Sequence, residues 1–196
     1  MNDNRDVMMD IETLGTKPGS IVLSVGLVRF NPRPVGAGNP VQSSEVLKMS
    51  SLRVNFDAKE LAQKGFLMDA DTVKWWVFQG EEARKNAFDP SKETIKTLAE
   101  GLADIQRFFE PKDRVWGNGA NFDIPLVEAL YDKSLWSKYP WGYSKVRCYR
   151  TVKAMCNWDT SLVPENELWH DPVADCIHQI QTLQAIAYCN PTLLFD

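Results

Sequence analysis

The chain has 196 residues, of which 44% are hydrophobic and 24% are charged, and its formal net charge is −4 at pH 7. This length and apolar content suit one domain with its own core, so we expect residues 1–196 to form a single domain. The negative net charge argues against a protein that coats DNA non-specifically, because such proteins need a basic surface. It does not exclude a nucleic-acid enzyme, since metal ions and a few local basic residues can neutralise phosphates.

The sequence carries no signal for export or for membrane insertion. No apolar run approaches the roughly 18 residues of a membrane-spanning helix, and the polar start of the chain lacks the features of a signal peptide. The four cysteines, Cys148, Cys156, Cys176 and Cys189, have no C-x-x-C spacing, so we do not expect a zinc cluster. We expect reduced thiols in a cytoplasmic protein without a membrane partner.

Three apolar segments near the start of the chain are typical of strands. Val7–Thr13 is an apolar run with two acids near its end, Ile21–Phe30 is apolar on both faces, and Val46–Phe56 follows as a third candidate. A turn at 17–20 and a loop rich in proline and glycine at 31–40 separate them. The pattern therefore predicts an antiparallel meander of three strands.

The rest of the chain carries helix signals and one short strand. We predict a strand at Arg114–Trp116 and five helices. Four of the helices run from Asp71-Thr72 through Phe78, from Asn121 to Tyr131, from Arg150 to Trp158, and from Asp171-Pro172 onward. The fifth follows Pro90-Ser91 and has an apolar stripe of Ile95, Leu98, Leu102, Ile105, Phe108 and Phe109. In the last helix, Asp171 is the predicted N-cap and Pro172 the first helical residue. Three leading antiparallel strands followed by alternating helices and parallel strands indicate an α/β fold, with a mixed sheet flanked by helices.

Two acidic residues at the end of the first strand are the most informative feature of the chain. Residues i and i+2 share a face of a strand, so Met8, Asp10 and Glu12 point to one side of the sheet. Val7 and Ile11 point to the other side. Two carboxylates on one face repel each other unless a cation lies between them. The simplest account of this repulsion is an oxygen-ligand site for Mg²⁺ or Mn²⁺. On the pair alone, however, a strand end that emerges into solvent, where acids are common, explains the two residues better.

A further acid, Asp123, lies just past the predicted strand Arg114–Trp116, in the first turn of a predicted helix. In open α/β sheets, binding sites gather at such strand-to-helix junctions. Gly117 and Gly119 in the junction permit close approach of the backbone to a ligand. Taken alone, Asp123 is better explained as an acid placed favourably at a helix N-terminus.

His170 and Asp175 open the last predicted helix. Asp175 lies off the apolar stripe of that helix, so packing does not explain it. It is either exposed or points from the first helical turn toward the face that carries Asp10 and Glu12. His170 lies on the loop beside the same helix end.

The order and spacing of these residues resemble the DEDDh 3′–5′ exonucleases of the RNase H-like superfamily. The first motif is similar to Asp10-Ile11-Glu12, the second to Asn121-Phe122-Asp123, and the third to His170 with Asp175 five residues later. The stretches 72–76 and 116–123 also look like those of small stand-alone members, such as phage exonuclease A and the RNase AS-type exoribonucleases. The motifs span residues 10 to 175, so the resemblance covers nearly the whole chain.

Two positions depart from the family pattern. Pro172 stands where alanine is common, in a first helical turn that tolerates proline. Cys148 stands where an acid often precedes the Arg-Thr segment of the next-to-last helix. The cysteine puts in doubt a secondary contact that the acid makes in relatives, but it does not affect the expected catalytic residues.

The resemblance implies an RNase H-like fold and a metal-dependent 3′–5′ exonuclease that releases nucleoside 5′-monophosphates from the 3′ ends of single-stranded RNA or DNA. It implies two Mg²⁺ or Mn²⁺ ions per site, with His170 as the general base. The expected metal ligands are four carboxylates: Asp10, Glu12, Asp123 and Asp175. The expected substrate contacts are five residues: Thr13, Leu14 and Gly15 at the 3′ end, Asn121, and Trp76 by stacking on a base.

Three questions stay open at this point. RNA is slightly favoured over DNA by the resemblance to RNase AS-type enzymes, but no motif reads the 2′-hydroxyl. A nuclease that cuts internally and a catalytically weak RNase H-like domain that only binds nucleic acid or protein are the alternatives to an exonuclease. Homodimers are frequent among relatives, and no sequence feature identifies an interface.

Overall fold

The computed structural model describes residues 6–32, 50–89, 94–134, 138–163, 165–166, 170–190 and 192. The start of the predicted third strand, residues 46–49, lies outside the described residues, as does the predicted helix start at Pro90-Ser91. No helix in the described part of the chain has the length and apolar character needed to cross a bilayer. The four cysteines are all free thiols.

Six strands form one mixed sheet. Their bounds are β1 Asp6–Thr13, β2 Val22–Phe30, β3 Ser51–Phe56, β4 Ile95–Lys96, β5 Arg114–Gly117 and β6 Val146–Cys148. The order across the sheet is β4-β3-β2-β1-β5-β6. β1, β2 and β3 pair antiparallel, whereas β5 pairs parallel with β1 and with β6. The predicted meander and the predicted mixed sheet are both confirmed.

Seven α-helices flank this sheet in the described residues. Their bounds are α1 Ala58–Gln63, α2 Ala70–Val77, α3 Glu81–Phe88, α4 Leu98–Phe108, α5 Asp123–Asp132, α6 Tyr149–Met155 and α7 Pro172–Cys189. Single 3-10 turns occur at Tyr143–Lys145 and Thr160–Leu162. The helices therefore cover both faces of the sheet and divide the core into two parts.

The alternation of β1 decides which residues face which part of the core. Val7, Met9 and Ile11 belong to the larger cluster, which also holds residues of α4 and α5. Met8 belongs to the smaller cluster, beside Cys176 and other residues of α7. The side of β1 that carries Asp10 and Glu12 is therefore the side covered by α7, as the i, i+2 pattern predicts.

The start of α7 packs directly on the backbone of β2. A Cβ atom added at Gly26 would lie 2.4 Å from the carbonyl carbon and oxygen of Pro172. Asp171 is the N-cap, as predicted, and its side chain accepts from the amides of Val173 and Ala174. The same carboxylate forms an ion pair with Arg53 of β3. The absence of a side chain at position 26 thus lets the helix start approach the sheet.

Some helix boundaries differ from the prediction. Ile95, predicted on the apolar stripe of a helix, lies in β4, and α4 begins only after Thr97. Thr97 and Glu100 form a reciprocal capping box that sets this start. Asp69, rather than Asp71, is the N-cap of α2. The helices α1 and α3 and the strands β4 and β6 were not predicted.

The close approach at Gly26 makes a testable prediction. We expect Gly26→Ala to destabilise the protein by about 1–3 kcal/mol, because the new methyl group meets backbone atoms that cannot rotate away. Gly80→Ala is the matched control, since a Cβ there meets nothing within 4 Å. Chemical denaturation of both variants beside the wild type measures the difference. Equal free energies of unfolding for the two variants would contradict the packing described here.

Candidate active site

β1 contributes the first two carboxylates from the centre of the sheet. Asp10 pairs with Gly26 of β2, and Glu12 pairs with Ser24. Asp10 is partly buried, and Glu12 is 7% exposed. Because α7 covers this side of β1, both side chains lie between the sheet and the start of that helix.

Asp123 reaches the same place from the neighbouring strand β5. It is the first residue of α5 and is 3% exposed. Gly117 makes room for it, since a Cβ atom there would lie 2.8 Å from Asp123 Oδ2. That oxygen has no hydrogen-bond partner among the described residues. A buried carboxylate oxygen without a donor is a position where a cation would be favourable.

The start of α7 supplies the histidine and the fourth carboxylate. His170 Nδ1 lies 3.6 Å from Glu12 Oε1. The Asp175 carboxylate accepts from the His170 backbone amide at 3.1 Å and from Asn166 Nδ2 at 2.6 Å. One ligand atom each of Glu12, His170 and Asp175 lie within 4.8 Å of one another. Asp175 therefore points to the Asp10 and Glu12 face rather than into solvent.

His170 has a left-handed backbone conformation, with φ of 67°. Such a conformation is uncommon for residues other than glycine, although asparagine, aspartate and histidine adopt it more readily than the rest, and it is often found at functional sites. The hydrogen bond from the His170 amide to Asp175 holds the backbone in this turn. The imidazole also meets the edges of the Trp75 and Trp76 rings, with centroid distances of 5.1 and 5.6 Å.

Burial raises the pKa values of three of these carboxylates, Asp10, Asp123 and Asp175, and neighbouring carboxylates raise two of them further. Burial raises the pKa of Asp10 well above its usual range, and the charges of Asp123, Asp175 and Glu12 raise it further. Burial alone is the main reason that the pKa of Asp123 rises to about 7. Burial and the charge of Glu12 raise the pKa of Asp175 to about 6. Without a cation, this cluster resists full ionisation at neutral pH.

The four carboxylates fit a hard divalent cation. Oxygen donors of this kind suit Mg²⁺ and Mn²⁺, and a bound cation would remove the repulsion that raises the pKa values. The unpartnered Oδ2 of Asp123 gives an independent sign of a ligand position. These residues therefore fit the metal site that the sequence predicts.

Two adjoining cavities open at this site. The first, which we term the carboxylate cavity, has a volume of about 720 Å³. All five predicted catalytic residues line it: Asp10, Glu12, Asp123, His170 and Asp175. The second, which we term the tryptophan cavity, has a volume of about 580 Å³, and Trp75, Trp76 and Asp71 are among its lining residues. Glu12 lines both cavities, so they meet at the carboxylate cluster.

Comparison with known families agrees with this arrangement. The family model described as the 3′-5′ exoribonuclease Rv2179c-like domain matches residues 5–187. The chain belongs to this family. The match covers all of the motifs at residues 10 to 175, and it confirms the DEDD-type exonuclease resemblance of the sequence.

Individual relatives and structures extend the comparison. The exodeoxyribonuclease of Enterobacteria phage T4 is 30% identical over 132 residues, which are 64% of this chain and 55% of that protein. The chain thus matches about half the length of this curated relative. The zinc-bound form of the E. coli ExoI–ssDNA complex has a TM-score of 0.62 at 17% identity, over 95% of this chain and 41% of that chain. This likeness shows that the fold is the RNase H-like fold.

In this Rv2179c-like domain, some of the predicted substrate residues line a cavity and others are buried in the core. Thr13 lines the tryptophan cavity, whereas Leu14 is 6% exposed and belongs to the core. The Leu14 amide donates to Ile21, and its carbonyl accepts from Asp69. The Gly15 carbonyl accepts from the Thr13 hydroxyl at 2.7 Å. The Leu14 amide and the carbonyls of Leu14 and Gly15, near the expected position of the 3′ end, therefore already form hydrogen bonds within the protein.

The two remaining predicted contacts, Asn121 and Trp76, differ from each other in exposure. Asn121 is exposed in the turn before α5 and is not among the residues that line either cavity. Trp76 is only 2% exposed, and its indole donates to the Thr13 carbonyl at 2.9 Å. Its neighbour Trp75 is 46% exposed. The structure therefore places the open aromatic surface on Trp75 rather than on Trp76.

Two contacts of the carboxylates were missed by sequence reasoning. Gln179 Nε2 donates to Asp10 Oδ1 at 2.9 Å, and Gln179 is 5% exposed. Its position four residues after Asp175, on the same helix face, is a signal that could have identified it. Asn166, which donates to Asp175, lies on an irregular segment where the sequence offers no periodicity.

The raised pKa values predict a pH-dependent stability in metal-free buffer. A carboxyl with a raised pKa binds protons more readily in the folded state than in the unfolded chain, so stability falls as pH rises from about 4 through about 7. Asp123→Asn removes one such carboxyl. We expect its thermal midpoint to exceed that of the wild type at pH 8, by a few degrees, with a smaller difference at pH 5.

Addition of Mg²⁺ or Mn²⁺ at pH 8 should raise the midpoint of the wild type and have much less effect on Asp123→Asn. The matched control is Asp132→Asn, an exposed carboxylate on the last turn of the same helix. Differential scanning calorimetry measures all three proteins. A midpoint for Asp123→Asn below that of the wild type at pH 8 would contradict the cost assigned here to burying the ionised Asp123 carboxylate.

Proposed function

We propose that this protein is a metal-dependent 3′–5′ exonuclease of the DEDDh type, which hydrolyses single-stranded nucleic acid from its 3′ end and releases nucleoside 5′-monophosphates. One observation carries the proposal: four carboxylates and one histidine, from three separate segments of the chain, line one cavity. The family match over residues 5–187 supports the same reaction class. It also supports the proposal that these residues act as one domain.

The carboxylates are the proposed ligands of two Mg²⁺ or Mn²⁺ ions. Asp10 and Glu12 lie on β1, Asp123 begins α5, and Asp175 lies in the first turn of α7. When bound, such ions lower the pKa of a water molecule and stabilise negative charge on the leaving 3′-oxygen. The hydrogen bond from Gln179 holds the Asp10 carboxylate in its orientation. Such supporting contacts commonly change metal affinity or activity by about 10–100-fold when removed.

His170 is the proposed general base, which takes the proton of the attacking water. Its imidazole lies at the cavity wall, close to Glu12 and Asp175. The Glu12 carboxylate, 3.6 Å from His170 Nδ1, is the main reason that the pKa of His170 is raised above its usual value of 6.5, although burial opposes the rise. The Trp75 and Trp76 rings pack against the imidazole in T-shaped arrangements and restrict its rotation. Histidine is the side chain that most often serves as a general base in proton transfer.

RNA is the substrate that we propose first. The description of the family names an exoribonuclease, and the family model matches nearly the whole chain. The phage relative is called an exodeoxyribonuclease, and its match covers 64% of the chain. The proposed preference therefore rests on the broader match, and DNA is the alternative that the experiment below distinguishes.

The decisive experiment uses single-stranded RNA and DNA oligomers of one sequence, each labelled at either the 5′ or the 3′ end. With Mg²⁺ or Mn²⁺, we expect a 5′-labelled oligomer to shorten one nucleotide at a time, and a 3′-labelled one to release labelled mononucleotide at once. The Asp10→Ala variant should lose this activity while remaining folded, because Asp10 lies at the centre of the carboxylate cluster. Asp132→Ala is the control carboxylate. Internal fragments as first products, or full activity of folded Asp10→Ala, would refute the proposal.

The proposed base predicts a pH dependence. A base must be neutral to accept a proton, so activity should fall as pH drops through the pKa of His170, which lies above 6.5. His170→Ala should lower kcat by about 10²–10⁴-fold, and it should keep the stabilisation by metal ions. Rate measurements from pH 5.5 to 9 on both proteins provide the test. An undiminished kcat in the variant would assign the base to another group.

A further inference from the structure

His170 brings a nitrogen donor to a group of residues that otherwise supplies only carboxylate oxygens. Its Nδ1 lies 3.6 Å from Glu12 Oε1, and one ligand atom each of Glu12, His170 and Asp175 lie within 4.8 Å of one another. The two other carboxylates, Asp10 and Asp123, line the same cavity. The described residues therefore offer two overlapping ligand sets, one of four carboxylates and one of two carboxylates with an imidazole.

The spacing of the mixed set, Glu12, His170 and Asp175, suits a four-coordinate ion. Zn²⁺ binds imidazole nitrogen and carboxylate oxygen at about 2.0–2.2 Å, usually in a tetrahedron, and three protein ligands with one open position are common. The ligand atoms of such a tetrahedron are about 3.4 Å apart. This separation is close to the 3.6 Å between His170 Nδ1 and Glu12 Oε1.

The two ligand sets favour different ions. Carboxylate oxygens and water suit Mg²⁺ and Mn²⁺, whereas imidazole suits Zn²⁺. Mg²⁺ also demands an octahedron of oxygen ligands and keeps several of its waters. His170 therefore offers Zn²⁺ a ligand that Mg²⁺ does not favour.

The surroundings hold the His170 imidazole beside the two carboxylates. The rings of Trp75 and Trp76 pack against it, with centroid distances of 5.1 and 5.6 Å. The Asp175 carboxylate accepts from the His170 amide at 3.1 Å, so one member of the mixed set fixes the backbone of another. An independent sign of a bound cation comes from Asp123, which lines this cavity and is 3% exposed, and whose Oδ2 has no hydrogen-bond partner among the described residues.

We infer that Zn²⁺ binds to Glu12, His170 and Asp175 and inhibits the enzyme, because the imidazole that binds it is the proposed general base. A neutral imidazole has one nitrogen that can accept a proton, and ligation of an ion occupies that nitrogen. Glu12 and Asp175 also belong to the set of four carboxylates, so Zn²⁺ competes with Mg²⁺. The inhibition rests on the proposed function, whereas ligation by His170 does not.

Calorimetric titration of the whole chain with Zn²⁺ and with Mg²⁺ at pH 7.5 tests the ligation without any substrate. We expect His170→Ala to weaken Zn²⁺ binding by about 100-fold or more, since loss of even an outer contact commonly costs about 10–100-fold. Mg²⁺ binding should be nearly unchanged. His170→Asn is the second variant, because asparagine tolerates the left-handed backbone at this position.

The matched control is His178→Ala, since His178 lines the same cavity and is not a member of the three-residue group. It should keep the Zn²⁺ affinity of the wild type. Equal Zn²⁺ affinities of the wild type and both His170 variants would overturn the inference, and so would an equal loss in His178→Ala.

Co²⁺ in place of Zn²⁺ reports the ligands by spectroscopy, because four-coordinate Co²⁺ absorbs visible light far more strongly than six-coordinate Co²⁺. We expect the strong absorption in the wild type and in His178→Ala, and we expect its loss in His170→Asn. A weak, six-coordinate spectrum in the wild type would overturn the inference.

The inhibition is measured on the wild type with a single-stranded oligomer and saturating Mg²⁺. We expect added Zn²⁺ to lower kcat, a zinc chelator to restore it, and a higher Mg²⁺ concentration to raise the Zn²⁺ concentration needed for half inhibition. An undiminished kcat after Zn²⁺ occupies the site would overturn the inhibition. Absence of cleavage with Mg²⁺ or Mn²⁺ alone would instead refute the proposed function, and the calorimetry would still decide whether His170 is a ligand.

Discussion

Repulsion among buried carboxylates is the constraint on which the rest of this site depends. Asp10, Asp123 and Asp175 all have raised pKa values, because each is removed from water, and Asp10 and Asp175 are raised further by neighbouring carboxylates. The fold holds them together through packing elsewhere, in two hydrophobic clusters on the two faces of the sheet. The arrangement lowers the free energy of unfolding of the metal-free protein, and a divalent cation would remove this loss. Stability and metal binding are therefore coupled at one place.

Helix α7 is the element that completes the cluster. Its start carries Asp175 and is held against the sheet by three contacts of different kinds. Gly26 permits backbone contact with Pro172, the N-cap Asp171 pairs with Arg53, and Gln179 donates to Asp10 one turn further on. Arg53 also donates to the Asn86 carbonyl in α3. A change in any of these contacts would move the histidine and the fourth carboxylate relative to β1.

Much of the architecture was predictable because the signals were local. The alternation in β1 identified the face of Asp10 and Glu12, and Asp171 was recognised as a cap from its place before Pro172. The predictions failed where the element is short or where its start depends on partners. Helix α1 has only six residues, and Ile95 pairs with β3 although it continues the apolar period of α4. Neither helix α1 nor strand β4 has a hydrophobic pattern long enough to be identified from the sequence.

The sequence by itself determined which residues can supply the chemistry and, through the two-residue period of a strand, that Asp10 and Glu12 share one face. It could not decide which tryptophan is open, because that depends on how α2 is rotated against His170 and Phe88. The tertiary structure decided this in favour of Trp75. It also brought together the walls of the two cavities, which come from segments far apart in the chain. Strand alternation is a local property of the backbone, whereas helix rotation and cavity walls follow from long-range packing.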